Sequence, residues 1–287
     1  MADISKLSAS EREEIASYIK ADTLDAVNKK VVPVKPRVSF YTKYGKRFFD
    51  ILASLAAIIV TLPINLVIAV VTFFDVGSPI IFKQQRVGLH EKKFTIYKFR
   101  NMTNERDSHG ELLSASERVT KWGKFVRKTS LDELLNFVPI LKGDMSVIGP
   151  RPLLDKYVER LNDRHKAIWL VKPGLECPTP RPFSHALSAQ ERLENYVWYV
   201  ENCSFLLDIW LCFRIVQVMF DRKNSNERAM AQSGGGIGYS LDGSLLEITD
   251  VPEKYVEEFC RNHGYADLEE AVAARSMEQS TAARRKG

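Results

Sequence analysis

The sequence predicts a mostly helical α+β protein with a re-entrant membrane helix (helix-break-helix), amphipathic surface helices and a small β-hairpin. Three observations predict this class. Residues 48–74 form an apolar stretch with one charge, Asp50, and an interior proline, Pro63. Residues 80–83 and 94–99 resemble two short strands joined by a turn that contains Gly88. Most of the remaining segments have the composition and spacing of helices.

The composition is that of a folded protein and not of a disordered or fibrous chain. Of 287 residues, 45% are apolar and 27% are charged, which allows one large domain or two modest ones. Residues 1–220 carry 32 basic and 24 acidic side chains, whereas residues 221–287 carry 9 and 12. A basic body joined to an apolar segment indicates contact with a membrane surface or with phosphates. The four cysteines and five histidines show neither CxxC nor HExxH spacing, so we expect a reducing compartment and no zinc site.

Residues 1–40 are predicted to be a short polar helix followed by a linker that contains prolines. Ser10 and Glu13 match a capping box, and Ile15 and Ile19 contribute to a thin apolar edge. We interpret this segment as a surface helix that packs on the body. It does not have the features of a secretory signal, because it is acidic at its start and lacks an apolar core.

Residues 41–75 are predicted to be a membrane anchor. As a straight helix, the apolar stretch would extend over roughly 40 Å, which is enough to cross a bilayer. Pro63 removes a hydrogen bond near its middle and kinks the helix. Both flanks carry basic residues, which the positive-inside rule places in the cytosol. A helix that enters and leaves the membrane by the same face agrees with both the interior proline and the basic flanks. A straight transmembrane helix and a buried core helix remain as alternatives.

Residues 76–220 are predicted to be the main domain, with helical pieces over 121–141, 157–170 and 191–220. Residues 205–220 are apolar on most faces, so they form either core or a helix in the membrane interface. Residues 221–287 are predicted to be a linker and an acidic tail, whose role as regulator, partner site or passive cover stays open. Three segments of this tail are distinguished, a flexible linker and two short helices, over 221–239, 252–262 and 267–274.

The densest group of charged residues lies within residues 127–152. Ser130 and Glu133 match a capping box, and acids in a first turn suit the helix dipole, which is the simpler interpretation. Arg127 and Arg151 add cations on the two sides of this segment. A helix N-terminus with arginines nearby is a site for phosphate groups.

Asp132 is the candidate nucleophile of this group. We expect its positive neighbours and the helix terminus to lower its pKa and keep the carboxylate ionised. An ionised carboxylate can attack a phosphoryl group and form an acyl phosphate. On a helix, Glu133 points about 100° away from Asp132, so the two acids should differ in role. We expect Glu133 to bind a divalent cation, with Asp144 as an alternative ligand.

In order along the chain, these residues resemble the bacterial monotopic phosphoglycosyl transferases, which are polyprenyl-phosphate sugar-1-phosphate transferases. Each motif is weak alone, and the ordered set is specific. The motifs are Lys46-Arg47-x-x-Asp50, Pro63, Phe82-Lys83-Gln84-Gln85-Arg86-Val87-Gly88, Tyr97-Lys98-Phe99-Arg100-Asn101-Met102, Arg118-Val119-Thr120-Lys121-Trp122-Gly123, Ser130-Leu131-Asp132-Glu133-Leu134, Leu141-Lys142-Gly143-Asp144-Met145-Ser146 and Gly149-Pro150-Arg151-Pro152.

The resemblance implies a two-step transfer. Asp132 attacks the β-phosphate of a nucleoside-diphosphate sugar, usually a UDP-sugar, and UMP leaves. The phosphosugar then passes to undecaprenyl phosphate, as the first membrane step of exopolysaccharide, O-antigen or glycoconjugate synthesis. Glu133 and Mg²⁺ assist this chemistry. Pro63 breaks a re-entrant helix, so the enzyme is monotopic and lies on the cytoplasmic face of the bacterial inner membrane.

The same resemblance supplies the site residues and partners, and it makes residues 76–220 the catalytic domain. Asp132 and Glu133 are the catalytic pair, and both are candidate metal ligands together with Asp144. The substrate- and phosphate-binding set is Arg127, Arg151, Lys98, Arg100, Lys142 and Arg86. The expected partners are a UDP-sugar, undecaprenyl phosphate and the membrane, with a homodimer as an option and no nucleic acid.

The chain departs from the family pattern in several places. Asn101 stands at a family threonine and Pro139 at an asparagine. Residues 175–182 form a proline-rich loop with an acid, Glu176, where the family has a small polar residue. Residues 221–287 match nothing in the family. Two alternatives therefore remain, a membrane-bound sugar-nucleotide hydrolase and a non-enzymatic basic scaffold on the membrane surface.

Overall fold

The computed structural model describes residues 1–106, 113, 115–179, 187–220 and 236–274. Within them the helices, numbered α1 to α8 in chain order, are Ala9–Asn28, Lys46–Val76, Ala115–Arg118, Lys121–Lys128, Phe137–Lys142, Ala189–Asn202, Phe205–Phe220 and Glu253–His263. The strands, numbered β1 to β6, are Ile81–Val87, Lys93–Phe99, Ser146–Ile148, Gly174–Glu176, Gly238–Tyr239 and Leu245–Leu246. They pair in chain order into three two-stranded sheets, of which β3–β4 is parallel. This architecture confirms the mostly helical α+β class.

Helix α1 begins two residues earlier than the predicted capping box requires. Ser8 is the N-cap, and its hydroxyl accepts a hydrogen bond from the backbone N–H of Glu11. The Glu11 carboxylate accepts in return from the Ser8 N–H, which completes a capping box. The Ser10–Glu13 assignment was therefore wrong, because both Ser-x-x-Glu pairs match the motif and the upstream pair forms it.

Helix α2 has 31 residues with Pro63 inside it, so the helical conformation continues across the proline, and the re-entrant course stays a prediction. Among the described residues, Tyr41–Val76 is the stretch long and apolar enough to cross a membrane. The helix begins after a π-helical turn, Tyr41–Gly45, and measures about 46 Å along its axis at 1.5 Å per residue. Its middle is strongly exposed, with 70% of Ile59 and 61% of Leu66 accessible.

Both ends of α2 are bound to the main domain. At its start, the Asp50 carboxylate accepts hydrogen bonds from the Ser146 hydroxyl (2.9 Å) and the Val147 N–H (3.0 Å) on β3. At its end, the Trp122 indole donates to the Thr72 hydroxyl (3.2 Å), and Thr120 donates to the Asp75 carboxylate (2.6 Å). The apolar middle of α2 is thus exposed between two fixed ends.

The predicted hairpin is confirmed as β1 and β2, which pair antiparallel with Phe82 opposite Lys98 and Arg86 opposite Phe94. The helix expected over 157–170 is instead two 3₁₀ segments, Asp155–Tyr157 and His165–Leu170. The helix expected over 191–220 is two helices, α6 and α7, separated at Cys203–Ser204.

The predicted linker over 221–239 ends in a β-strand, because residues 238–239 form β5 of the third sheet. The rest of that linker, 221–235, and residues 180–182 of the proline-rich loop lie outside the described residues. The two tail helices expected over 252–262 and 267–274 are confirmed as α8 and a helical segment at 268–274.

Among the described residues, the buried apolar side chains form two larger clusters and one small one. The first is centred in the main domain, with Trp169 and Val197, and also takes in Leu24 and Val27 of α1 and Tyr239 of β5. The second joins the two ends of the chain, because Ile15 and Ile19 of α1 pack with Phe259 of α8. We call this second unit, residues 1–28 with 236–274, the terminal module.

Candidate active site

The candidate site lies where β2 faces the 3₁₀ segment Leu131–Asn136. The Asn136 side-chain carbonyl accepts a hydrogen bond from the Tyr97 N–H (3.0 Å), which joins the segment to the strand. Ser130 precedes the segment with φ 56°, a left-handed conformation, and its hydroxyl makes no cap hydrogen bond. The predicted Ser130–Glu133 capping box was wrong, because an N-cap residue needs an extended backbone and Glu133 is held elsewhere.

Asp132 is buried, with 5% of its surface exposed. The amide nitrogen of Asn101 donates a hydrogen bond to Asp132 Oδ2 (3.0 Å). Asn101 is itself buried, and it follows directly after β2 and Arg100. The Asp132 carboxylate is therefore held by a neutral amide and not by an ion pair with a described cation.

Glu133 turns the other way and forms an ion-paired cluster. Its Oε1 accepts from Lys98 Nζ (2.7 Å) and from an Arg151 guanidinium nitrogen (2.5 Å). The other terminal nitrogen of Arg151 donates to Glu176 Oε2 (3.2 Å) and the Leu175 carbonyl (3.4 Å). The predicted divergence of the two adjacent acids is present, on a 3₁₀ turn instead of an α-helix.

These surroundings move the pKa values of the two acids in opposite directions. Burial, and then the charge of Glu133, raise the pKa of Asp132 to about 6, although Lys98 and Arg127 act to lower it. The expectation of a lowered Asp132 pKa was therefore wrong, because loss of hydration exceeds the attraction of the cations. Burial also acts to raise the pKa of Glu133, but the charges of Arg151 and Lys98 prevail and lower it to about 2.

Arg151 is placed by close backbone packing beneath it. It follows Gly149 and Pro150 at the end of β3, which pairs with β4. A Cβ added at Gly174 would lie 2.1 Å from the Gly149 backbone nitrogen, so the two strands approach at a distance that only glycine allows. This approach brings Arg151 beside both Glu176 and Glu133.

Two other predicted phosphate-binding residues lie near this cluster. Arg86 donates to the Pro152 carbonyl (3.2 Å) and to Gln84 Oε1 (2.7 Å), while its buried Nε has no hydrogen-bond partner. Burial and then the charge of Arg151 lower the pKa of Arg86. Arg127 is exposed on α4, and its charge acts on Asp132.

The structure places the remaining two predicted cations elsewhere. Arg100 donates to the carbonyls of Val76, Gly77 and Ser78, so it binds the C-terminal end of α2. Lys142 is exposed at the end of α5, with its ammonium 5.8 Å from the centre of the Tyr97 ring. Neither side chain contacts Asp132 or Glu133.

The predicted metal ligands are brought together only in part. Asp132 and Glu133 are adjacent, whereas Asp144 is exposed and acts on Lys172 near the start of α2. No group of three or more metal-binding side chains occurs in the part of the chain that the structure describes. Two carboxylates still match Mg²⁺, because this ion keeps several waters and is usually bound by one or two carboxylates plus substrate phosphates.

Two residues of the site were not predicted to be functional. Asn101 binds the candidate nucleophile, and Glu176 binds Arg151. The available signal was that both positions depart from the pattern of the family that the chain resembles. Their contacts join residues 31 and 25 positions apart, so local sequence patterns do not reveal them.

Comparison with known proteins identifies the family of the main domain. A family model described as bacterial sugar transferase matches residues 41–222. An uncharacterized sugar transferase, EpsL of Bacillus subtilis, is 43% identical over 175 residues, which cover 61% of this chain and 87% of that protein. The exopolysaccharide production protein PSS of Rhizobium leguminosarum is 33% identical over 193 residues, 60% of this chain and 92% of that protein.

A third relative is longer than the matched region. The UDP-N-acetylgalactosamine-undecaprenyl-phosphate N-acetylgalactosaminephosphotransferase of Aeromonas hydrophila is 35% identical over 183 residues, 61% of this chain. The match covers 43% of that protein, so this chain spans less than half of it. Since the family model covers more than half of this sequence, the chain belongs to the bacterial sugar transferase family.

Proposed function

We propose that the chain transfers a sugar-1-phosphate from a nucleoside-diphosphate sugar to undecaprenyl phosphate. The names of relatives support this reaction, because the Salmonella and Klebsiella proteins are an undecaprenyl-phosphate galactose phosphotransferase and a UDP-glucose:undecaprenyl-phosphate glucose-1-phosphate transferase. The observation that carries the proposal is the buried Asp132 beside the cluster of Glu133, Arg151 and Lys98.

In the first half-reaction, an Asp132 oxygen attacks the β-phosphorus of the sugar nucleotide. The new bond joins this oxygen to phosphorus, the bond to the bridging oxygen breaks, and UMP leaves with that oxygen and its electron pair. A carboxylate with a pKa of about 6 is mostly ionised at neutral pH, which this attack requires. Arg86, Arg151 and Arg127 supply the positive charge that holds a diphosphate.

In the second half-reaction, a phosphate oxygen of undecaprenyl phosphate attacks the same phosphorus. The bond to Asp132 breaks, its electron pair returns to the carboxylate, and undecaprenyl-diphosphate-sugar forms. The sugar keeps its anomeric bond throughout, because both attacks occur at phosphorus. Positioning and charge stabilisation therefore supply most of the catalysis, as is general for phosphoryl transfer.

Mg²⁺ is part of the proposal, with Asp132 and Glu133 as its protein ligands. Bound there, the ion would neutralise charge on the diphosphate oxygens. Glu133 Oε1 already accepts from Lys98 and Arg151, so metal binding competes with this ion pair. Because Glu133 has a pKa of about 2, it is available as a carboxylate at every pH at which the enzyme would work.

We further propose that α2 is a re-entrant anchor on the cytoplasmic face of the bacterial inner membrane. Both of its ends are bound to the same domain, through Asp50 and Thr72, and the apolar residues between are exposed. A helix that left the domain by one end to cross the bilayer would have only that end bound. A re-entrant course places the site at the depth of the lipid phosphate.

The test is an assay of UMP release in detergent or nanodiscs with Mg²⁺, undecaprenyl phosphate and a panel of UDP-glucose, UDP-galactose and UDP-N-acetylgalactosamine. We expect one donor to give UMP and a lipid-linked sugar together, and Asp132→Asn to give neither. Asp163→Asn, an exposed acid far from the cluster, serves as the matched control. UMP without lipid product would instead support the hydrolase, and no UMP from any donor would exclude both enzymes.

A further inference from the structure

We propose that Asn101 is a positioning residue that holds one oxygen of Asp132, so that the other oxygen attacks, and that stabilises the carboxylate when it leaves again. This inference rests on the proposed transfer reaction and deepens it. Its basis is the side-chain hydrogen bond from Asn101 Nδ2 to Asp132 Oδ2 at 3.0 Å, between two buried residues.

The orientation of this hydrogen bond follows from its partners. An ionised carboxylate can only accept, so the amide nitrogen of Asn101 must face it. With Oδ2 occupied, Oδ1 is the oxygen left to attack phosphorus. Lys98 is already bound to Glu133, and Arg127 is exposed with a long contact to the Met102 sulfur (3.9 Å), so neither cation duplicates the contact from Asn101.

The backbone of Asn101 is fixed on two sides. A Cβ at Gly123 would lie 2.1 Å from the Asn101 carbonyl oxygen, so α4 packs directly on this peptide. The preceding residue, Arg100, donates hydrogen bonds to the carbonyls of Val76 and Gly77 at the C-terminal end of α2. Because its backbone cannot shift freely, the Asn101 amide is aimed at Asp132 before any substrate binds.

The chemistry gives this amide a different effect on each half-reaction. In the covalent intermediate, Oδ1 is bonded to phosphorus and Oδ2 is the carbonyl oxygen of an acyl phosphate, which is a weaker acceptor than a carboxylate. When the lipid phosphate attacks, the electron pair of the breaking bond returns to the carboxylate. The hydrogen bond from Asn101 then becomes charge-assisted, so it stabilises the second transition state more than the intermediate.

The expected result of removing this amide is an intermediate that forms but is discharged slowly. In Asn101→Leu, we expect discharge to undecaprenyl phosphate to slow by about ten- to a hundredfold, the range for a hydrogen bond to a charged group. The initial burst of UMP should remain, and the covalent phosphosugar adduct should accumulate. Acid-quenched protein labelled from a β-³²P UDP-sugar, with the donor found active in the first assay, measures burst and discharge separately.

Two further variants separate positioning from stability. Asn101→Thr keeps a shorter donor, so we expect it to restore part of the discharge rate. Asn162→Leu removes a buried amide outside the site, which accepts a hydrogen bond from the His165 N–H (2.8 Å), and should change the melting temperature without changing the ratio of burst to discharge. Equal slowing of both half-reactions in Asn101→Leu, or a ratio like that of Asn162→Leu, would overturn the inference. A wild-type protein without UMP release would overturn the proposed function instead.

Discussion

Asp132 and Glu133 are adjacent in sequence and opposite in environment. Asp132 is bound by a neutral amide, whereas Glu133 is bound by two cations. Burial and the charge of Glu133 raise the pKa of Asp132, whereas the charges of Arg151 and Lys98 overcome burial and lower the pKa of Glu133. The 3₁₀ backbone makes the difference in environment possible, because consecutive side chains diverge by about 120° when three residues complete a turn.

The raised pKa of Asp132 predicts how the site responds to pH. In metal-free protein we expect the Asp132 carboxyl to titrate near pH 6, so below this value its ionised fraction falls about tenfold per pH unit. Carbon-13 NMR of labelled aspartate, assigned with Asp132→Asn, measures this titration. Added Mg²⁺ should move it to lower pH if Asp132 is a ligand. A titration near pH 4 in metal-free protein would contradict the burial argument.

Charge could be read from the sequence around Asp132, but burial could not. Arg127 lies five positions away, which led to the expectation of a lowered pKa. The structure adds the loss of hydration and the charge of Glu133, and both raise it. Asn101 was likewise visible only as a departure from a family pattern, because its contact with Asp132 depends on how β2 meets the 3₁₀ segment.

At the scale of elements, the pairing of β3 with β4 sets the place of Arg151. Gly174→Ala would put a methyl group 2.1 Å from the backbone nitrogen of Gly149, and backbone cannot move aside as a flexible side chain can. We expect a loss of about 1–3 kcal/mol in the free energy of unfolding. We also expect the rate of UMP release to fall by more than the fraction of unfolded protein explains, because Arg151 would move away from Glu133.

The matched control for this change is Gly88→Ala. Its nearest neighbour would be the Phe94 side chain at 3.0 Å, which can rotate away. Chemical denaturation of the two variants, with UMP release measured well below each midpoint, compares stability and site geometry. Equal effects of the two substitutions would show that the approach of β3 to β4 does not position Arg151.

Helix α2 carries a prediction about the path of the chain through the membrane. Pro63 removes one backbone hydrogen bond inside the helix, so Pro63→Ala should favour a straight helix that spans the bilayer. Single cysteines placed before residue 41 and in the tail, labelled from each side of the membrane, report the position of the two ends. We expect both to label from the cytoplasmic side in the wild type, and opposite labelling there would show the re-entrant course to be wrong.

The elements with strong local signals were predicted well. The hairpin was located by its β-branched and aromatic residues around Gly88, and α8 lies within one residue of its expected bounds. The segment 157–170 was misassigned because two short 3₁₀ segments form there, which bury Tyr157 and Ala167, and tertiary packing decides between these helical forms. The parallel β3–β4 pair, three residues each, is too short for a periodic signal.

At the scale of the whole molecule, the two ends of the chain form one unit outside the region that the family model matches. The backbone of Ala2 pairs with that of Val251, and Thr23 donates to the Tyr239 carbonyl. The unit is also acidic, since residues 1–28 and 236–274 carry 15 acidic and 5 basic side chains. Residues 29–220 carry 29 basic and 18 acidic ones, so an anionic leaflet would attract the main domain and repel the terminal module.

The sequence could not predict this union of the chain ends, because its contacts join residues more than 200 positions apart. Taken alone, α1 and α8 each have a thin apolar edge that is typical of a surface helix. Only together do α1 and α8 bury Ile15, Ile19 and Phe259 completely. The terminal module is joined to the main domain by apolar contacts, because Leu24, Val27 and Tyr239 belong to the cluster of the main domain. Hydrogen bonds add to them, such as that of His165 to the Tyr239 hydroxyl (2.6 Å).

A separate apolar cluster predicts separate opening of the terminal module. Phe259→Ala removes a fully buried ring from this cluster, at an expected cost of about 3–5 kcal/mol. Since the ring does not belong to the cluster of the main domain, the loss should appear as sub-global opening. Hydrogen exchange should then quicken together in α8 and in the part of α1 around Ile15 and Ile19, whereas α6 and the end of α1, where Leu24 and Val27 pack on the main domain, keep their protection. Leu241→Ala, at an exposed position, is the control, with an expected effect within about 0.5 kcal/mol. Faster exchange in α8 with unchanged exchange in α1 would contradict a shared core.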